Sequence, residues 1–454
     1  MNSKNPFQSH RKVGLDPRIE AFETREDLQL DSCLMPYDVL GSLAHATVLC
    51  KAGILSQVEF DQVRQGLRQA LSLYERNEFA LSPGDEDMHA KLELHLTVLN
   101  PVVGKKIQTG RSRNDQVLTA IRLFLIDKLF SVELHTLSLA RAFTILAMRY
   151  EFVPMPGYTH MQRAMPSSVG MWAGSFAEAL FDDVKFLQSI HAIIDCSPLG
   201  SAAGYGSPLL LDRSLAAELM GFSRVQSNSL YCQNSRGKFE AQIMSAFAAI
   251  LSDVNRLASD LLLFTTKEFD FFRLPHNFYS GSSIMPQKNN LDAAELLRAK
   301  AKRLLGNYLQ VVALALDLPS GYNRDLQDMK RPLFDSIETT TESVDIAELI
   351  ISALEPVEDR LRAACSPEIY STHRALSAVA QGEAFRDAYR VIARDPNATA
   401  HQIDPDKVLR ASEHLGGTGN LRLKELQATI EDNARATSAR HSARIDTWSK
   451  LKGD

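Results

Sequence analysis

Apolar residues recur through the middle of the chain at helical rather than strand spacing. Leu118, Ile121, Leu125, Leu129, Val132, Leu139, Phe143 and Leu146 follow one another at steps of three, four or seven residues, with Thr136 splitting the step of seven. The average of about 3.5 residues per turn predicts one long helix with a coiled-coil-like seam. Similar periodicity predicts further long helices from about Ser167 to Ile194, Gly237 to Phe264, Ala293 to Leu316 and Leu333 to Leu354. The prolines agree: there are 18, yet none falls from Val102 to Val153, from Leu209 to Leu274 or from Gln287 to Leu318. A proline inside a helix costs roughly 3 kcal/mol, so such gaps permit long uninterrupted rods.

Strand-type alternation is scarce. The glycine-rich or proline-bearing stretches 198–208, 277–286 and 319–322 fall between the rods, where loops belong. Before about Gly110 the pattern is more broken, with Pro83-Gly84-Asp85 and Asn100-Pro101 as turn signals, and after Pro356 it is again shorter-helical and ends in a polar, charged tail. The expected architecture is all-α: an N-terminal helical domain over 1–110, a central long-helix bundle over 111–356, and a small C-terminal helical domain over 357–454.

Composition narrows the class without naming a function. Fifty Lys and Arg against 55 Asp and Glu give a net charge of -5, and 45% of residues are apolar. That balance excludes both a basic nucleic-acid footprint and a disordered chain. The segment from Met1 to Arg18 is polar and holds no signal-peptide core, and no window reaches about 18 uninterrupted apolar residues, so a cytoplasmic location is expected. Five scattered cysteines, none in a Cys-x-x-Cys pair, suggest neither a disulfide framework nor a zinc site.

Three segments carry candidate chemistry. Gly281-Ser282-Ser283-Ile284-Met285-Pro286-Gln287-Lys288-Asn289-Asn290 joins a flexible hydroxyl-bearing loop to a cation and an amide near a helix start. Hydroxyls, free backbone N–H groups, Lys288 and Asn290 could hold a carboxylate or stabilise charge developing on it; a plain linker has the same composition. Thr109-Gly110-Arg111-Ser112-Arg113-Asn114-Asp115-Gln116 opens the first long helix, and its two arginines suit bidentate recognition of carboxylates. The plainer alternative is a solvated cap with Asn114 or Asp115 as the capping residue. Gly157-Tyr158-Thr159-His160-Met161-Gln162 precedes another rod, and His160 is a possible proton carrier, although a single histidine is more often structural.

Together these segments resemble the three shared regions of the fumarase and aspartase superfamily. Gly-Ser-Ser-Ile-Met-Pro is similar to a signature common to the whole superfamily, whereas Thr-Gly-Arg-Ser-Arg-Asn-Asp-Gln resembles the argininosuccinate lyase form. Further similarity lies at Tyr37-Asp38-Val39-Leu40-Gly41-Ser42, Asp87-Met88-His89, Pro198-Leu199-Gly200-Ser201, Tyr322 to Gln327 with Lys330, and Phe385 to Tyr389.

The resemblance implies anti elimination of argininosuccinate to arginine and fumarate, as in arginine biosynthesis, with no metal or organic cofactor. On that basis Ser282 matches the base, Lys288 and Asn290 match holders of the carboxylate that takes up charge, and His160 with its carboxylate partner Glu295 matches the residues linked to proton transfer. Ser112, Arg113 and Asn114, with Thr159 beside them, match residues around the fumarate half. His89 matches another pocket residue, and Tyr322, Gln327 and Lys330 match contacts to the arginine half. The resemblance also implies a homotetramer whose active sites are shared among subunits; a monomeric five-helix bundle is the alternative. Departures stand at Asp27, where many members carry serine, at Met165, at Asn234-Ser235-Arg236-Gly237, and at Asn289 and Leu291 beside the serine loop. They leave room for a related carbon–nitrogen lyase that releases fumarate from a different N-substituted aspartate. A catalytically silent relative fits poorly with intact Ser282, Lys288, His160 and Glu295.

Overall fold

The computed structural model describes residues 16–453 apart from 83, 84, 86 and 397–402. Five helices come before the first rod: α1 (Pro17–Asp31), α2 (Met35–Lys51), α3 (Gln57–Glu75), α4 (Met88–Leu99) and α5 (Pro101–Lys106). The rods and their connections follow as α6 (Arg113–Arg149), a hairpin of β1 (Pro154–Thr159) and β2 (Gln162–Ser168), α7 (Val169–Ile194), α8 (Arg213–Leu219), α9 (Ser229–Asn234), α10 (Lys238–Phe264), α11 (Asp292–Ala315) and α12 (Lys330–Ala353). The chain closes with α13 (Glu358–Ala364), α14 (Ser371–Ala380), α15 (Phe385–Arg394), α16 (Pro405–Ala411) and α17 (Leu423–Lys452). The fold is all-α; the seam Leu118 to Leu146 lies inside the longer α6, and the other four rods read from periodicity agree with the observed ones to within three residues at either end.

Periodicity explains the packing. All eight seam residues of α6 are buried, and the seven from Ile121 to Leu146 join one continuous core with Phe176, Leu180 and Val184 of α7, Phe247, Ile250 and Val254 of α10, Leu304 of α11 and Val344 of α12. A second core, centred on Met35, Leu43, Leu67, Met88 and Leu96, lies under α2 to α5. Polar contacts fix the directions of the rods. Trp172 Nε1 donates to Asp260 at 2.9 Å, Lys302 Nζ to Asn255 at 2.7 Å and Asn307 Nδ2 to Asp335 at 2.7 Å, so α7 and α10, α10 and α11, and α11 and α12 run antiparallel. Ser138 donates to Glu348 at 2.7 Å, which sets α12 parallel to α6.

The bundle therefore has two distinct ends. The head gathers the start of α6, the end of α7, the start of α10, the end of α11 and the start of α12. The foot gathers the β1–β2 hairpin, the loop between α10 and α11, and the end of α12. At 1.5 Å per residue the shortest of these rods, α11 and α12 with 24 residues each, span about 36 Å, and α6 with 37 residues spans about 55 Å.

Two elements were not foreseen. The hairpin was hidden because Pro154, Pro156 and Pro166 interrupt any strand-like reading; an isolated two-stranded ribbon leaves outer edges where their missing N–H groups cost nothing. The polar tail is in fact the 30-residue α17, which lies antiparallel along α6. It buries little apolar area, chiefly Leu423, Ile430 and Trp448. Charge anchors it instead: Arg440 Nη2 lies 3.1 Å from Glu133, Arg444 donates to both oxygens of Asp195, and His441 meets Asp127 at 2.9 Å.

Glu133 is fully buried and also meets His191 at 2.7 Å and Gln188 at 3.3 Å. Replacing it by alanine strands those partners, so Glu133→Ala should destabilise the protein by about 3 kcal/mol, read as a lowered denaturant midpoint. Between α7 and α10, burial and the neighbouring Asp253 carboxylate push the Asp183 carboxyl up to about 7. Its folded pKa lies above its unfolded value, so this group destabilises the fold progressively as pH rises from the ordinary carboxylate range through about 7. Asp183→Asn should therefore melt several degrees higher than the parent at pH 8, and the difference should vanish towards pH 4.

Candidate active site

The start of α6 builds one wall of a cleft at the head. Ser112, not Asn114 or Asp115, is the capping residue: its Oγ accepts the Asn114 N–H at 3.3 Å, while Asp115 Oδ1 accepts the Ser112 N–H at 2.8 Å, closing a capping box. The other oxygen of Asp115 accepts the N–H groups of Gly200 and Ala202, each at 2.9 Å, and so ties the loop after α7 to the same helix start. Arg111, Ser112, Arg113 and Asn114 line a cleft of about 490 Å³, a size suited to a small molecule. Arg113 Nε lies 3.0 Å from Asp87, and Arg111 Nη1 donates to Ser42 at 3.0 Å. His89 is buried with Nδ1 2.8 Å from Asp38; burial pulls its pKa down, but the Asp38 carboxylate outweighs this and holds it above the ordinary value.

The opposite wall comes from α1 and the start of α12. Lys330 Nζ lies 2.8 Å from Asp27 and 2.6 Å from Asp31. Burial disfavours its charge, yet the two carboxylates hold its pKa above the usual lysine value. Burial has the larger say at Asp27, whose carboxyl rises to about 6 despite the lysine. Gln327 Nε2 donates to the Glu23 carbonyl at 2.8 Å, and the Arg236 guanidinium stacks over the Tyr322 ring at 4.9 Å. Asn234 accepts the Gly321 N–H at 2.8 Å and steadies the loop that carries Tyr322.

The remaining candidates sit at the foot. Thr159 ends β1, and His160 and Met161 form the hairpin tip, both with positive φ (52° and 62°), which turns His160 outward into solvent. The serine loop leaves the bundle through a neck in which Ser280 and Asn290 exchange two backbone hydrogen bonds of 2.9 Å, and Ser280 Oγ bonds Asp292. Within the loop, Ser282 Oγ accepts the Met285 N–H at 3.1 Å and the Ile284 N–H at 3.4 Å. Lys288 is exposed, and so is Glu295 on the first turn of α11.

The chain thus brings together His89, Ser112, Arg113, Asn114, Tyr322, Gln327 and Lys330 in one cleft. It keeps Thr159, His160, Ser282, Lys288, Asn290 and Glu295 at the far end of rods about 36 Å long or longer. Among the described residues no hydrogen bond or ion pair joins His160 to Glu295. Glu23, Asp31 and Arg324 line the cleft without having been singled out beforehand. The repeat of Glu23, Asp27 and Asp31 every four residues was the available signal, since it puts three acids on one helix face.

Comparison with known proteins identifies the family and the fold. The profile of a family described as Lyase matches residues 10–306. Among solved structures, an EDDS lyase variant with bound fumarate superposes with a TM-score of 0.79 at 21% identity, covering 97% of this chain and 94% of its own. The class II fumarase of Schistosoma mansoni superposes with a TM-score of 0.71 at 17% identity, covering 88% of this chain and 96% of its own. The fold is that of the fumarase and aspartase superfamily. At the level of sequence, the argininosuccinate lyase of Thermotoga neapolitana is 39% identical over 84% of this chain and 95% of its own length. That of Xylella fastidiosa is 39% identical over 94% and 96%, and that of Sorangium cellulosum 40% over 92% and 97%. The chain belongs to the argininosuccinate lyase family of carbon–nitrogen lyases.

Asp115 links the helix cap to the loop behind the cleft. Asp115→Ala should cost about 2 kcal/mol of stability and lower the affinity for substrate, measured by denaturant unfolding and by KM.

Proposed function

We propose that this chain cleaves argininosuccinate into arginine and fumarate by anti elimination, as a homotetramer whose sites are each assembled from more than one subunit. The observation that carries this reading is the convergence of cleft residues drawn from four separate stretches of chain: His89, the α6 entrance, the Tyr322 loop and Lys330. Cationic groups stand on the α6 side, where a fumarate moiety with its two carboxylates would lie. The serine loop and His160 would come from neighbouring subunits, because no bending of rods about 36 Å long brings them to the same chain's cleft. Helix α11 supports such an assembly: Leu296, Leu305 and Leu309 are 59%, 49% and 59% exposed on a rod between α10 and α12. The proposed location is the cytoplasm, in keeping with the one described helical stretch long and apolar enough to cross a membrane, Asp27–Lys51, being mostly buried within the fold.

The proposed chemistry begins at Ser282. A serine hydroxyl is a weak base unless its oxyanion is stabilised, and the two N–H groups aimed at Ser282 Oγ together with the Lys288 cation supply that stabilisation. The oxyanion takes a proton from the carbon next to a carboxylate. The electron pair moves into that carboxylate, which becomes an aci-carboxylate held by Lys288 and Asn290. Collapse of this intermediate expels the guanidino nitrogen, which is protonated through His160 supported by Glu295. Ser112, Arg113, Asn114 and Thr159 hold the fumarate half, and Tyr322, Gln327 and Lys330 the arginine half.

The direct test is to incubate purified protein with argininosuccinate, adenylosuccinate, malate and aspartate and follow fumarate by ultraviolet absorption. Turnover confined to another substrate would overturn the reading. Ser282→Ala should lower turnover by about three orders of magnitude without changing the oligomer seen by gel filtration. Oligomers reassembled from a mixture of Ser282→Ala and Arg113→Met chains should recover a sizeable fraction of the lost activity, because some sites then draw both intact residues from different chains. Failure of the mixture to exceed either variant alone would exclude shared sites.

A further inference from the structure

The head cleft is electrically two-sided. Arg111 and Arg113 line the α6 side, α1 turns Glu23, Asp27 and Asp31 towards the cleft from the other, and Arg236 stands over the Tyr322 ring. Some of this charge is cancelled in place. Glu23 lies 3.4 Å from Arg324, and Arg113 lies 3.0 Å from Asp87. Arg111 donates to the neutral Ser42 hydroxyl at 3.0 Å, and two further groups are left over. Arg236 is only 8% exposed and has no hydrogen-bonding or ionic partner among the described residues, only the Tyr322 ring beneath it. At the other wall a single ammonium, Lys330, serves two carboxylates, so an ionised Asp27–Lys330–Asp31 cluster carries one uncompensated negative charge.

The cluster is ordered by depth. The side chains of Asp31 and Lys330 are 3% and 5% exposed, whereas that of Asp27 is 15% exposed and meets the cleft. Asp27 Oδ1 accepts from Lys330, and an ionised carboxylate accepts about four hydrogen bonds in all, so Oδ2 is left to take a second cation. An anionic ligand group at this point would meet two carboxylates with one ammonium between them, and its desolvation would not be repaid. The cleft therefore holds two positions open to a ligand, a cationic one at Arg236 and an anionic one at Asp27.

Resting on the argininosuccinate reading, we propose that Asp27 is a specificity-determining residue that receives the α-ammonium of the leaving arginine half, so that the enzyme selects amines bearing a cation at that point. Asp27 also positions Lys330, and the two roles separate experimentally. The test measures fumarate release from argininosuccinate and from the analogue whose arginine half carries hydrogen in place of the α-amino group. The parent enzyme should prefer argininosuccinate by about tenfold to a hundredfold in kcat/KM, the range of one charge-assisted hydrogen bond. Asp27→Asn disturbs Lys330 for both substrates, so it should raise KM for argininosuccinate at least about tenfold more than for the analogue and so collapse the preference, and Asp27→Glu should keep part of it. A measurement on the parent enzyme alone bears on the same point: arginine should inhibit at least about tenfold more tightly than 5-guanidinovalerate. Equal losses on both substrates in Asp27→Asn, or equal inhibition by the two products, would overturn the inference alone. A parent enzyme that turns over neither substrate would overturn the argininosuccinate reading and this inference with it.

Discussion

Rigid rods that run antiparallel decide where everything else in this protein can be. Once α6, α7, α10, α11 and α12 pack side by side through one apolar core, each connecting loop belongs to the head or to the foot, and the rods hold the two groups apart by about 36 Å or more. No side-chain rotamer and no loop movement closes such a distance. Chemistry that needs groups from both ends must use the foot of one molecule against the head of another, so the length of a helix becomes a statement about quaternary structure. On the proposed shared-site assembly, the exposed leucines of α11 would be the surface that the neighbouring subunits cover.

Within the head, polar contacts do the positioning that apolar contacts do along the rods. Asp115 satisfies three backbone N–H groups from two separate segments, Ser112 caps the helix that carries the arginines, and Asn234 holds the loop behind Tyr322. Each of these residues is within hydrogen-bond reach of main chain rather than of another ionic side chain. They fix loop shape, and the guanidinium, ammonium and carboxylate groups of the cleft inherit their geometry from those loops. Asp27 shows what the burial of such a cleft does to charge: its carboxyl stands at about 6 although an ammonium lies 2.8 Å away, so desolvation outweighs the ion pair.

How much of this was legible in the chain depends on whether one residue spacing reported one physical cause. The rods were legible because burial of a single face leaves a period near 3.6, and proline-free gaps confirm it. Loop chemistry at Ser282, His160 and Ser112 to Asn114 was legible as composition, and its grouping became interpretable through resemblance to a family. The hairpin was not legible, since Pro154, Pro156 and Pro166 obscure strand alternation. Helix α17 was not, since Arg440, His441 and Arg444 look like a solvated face until their partners Glu133, Asp127 and Asp195 on other helices are seen. The acid wall of α1 escaped for the same reason: acids every four residues describe an ordinary wet helix as well as one side of a pocket.

The neck of the serine loop has a thermodynamic meaning of its own. Ser280 and Asn290 exchange both backbone hydrogen bonds, so the two ends of the intervening nine residues are already joined before any ligand arrives. The entropy lost in bringing chain ends together has therefore been incurred in folding. Ordering the loop around a substrate costs only the freedom of its interior, and glycine at 281, with open space around it, sits next to one strand of the clasp. On the shared-site proposal, a segment tethered in this way would reach a neighbour's cleft with its base already fixed, at small entropic cost.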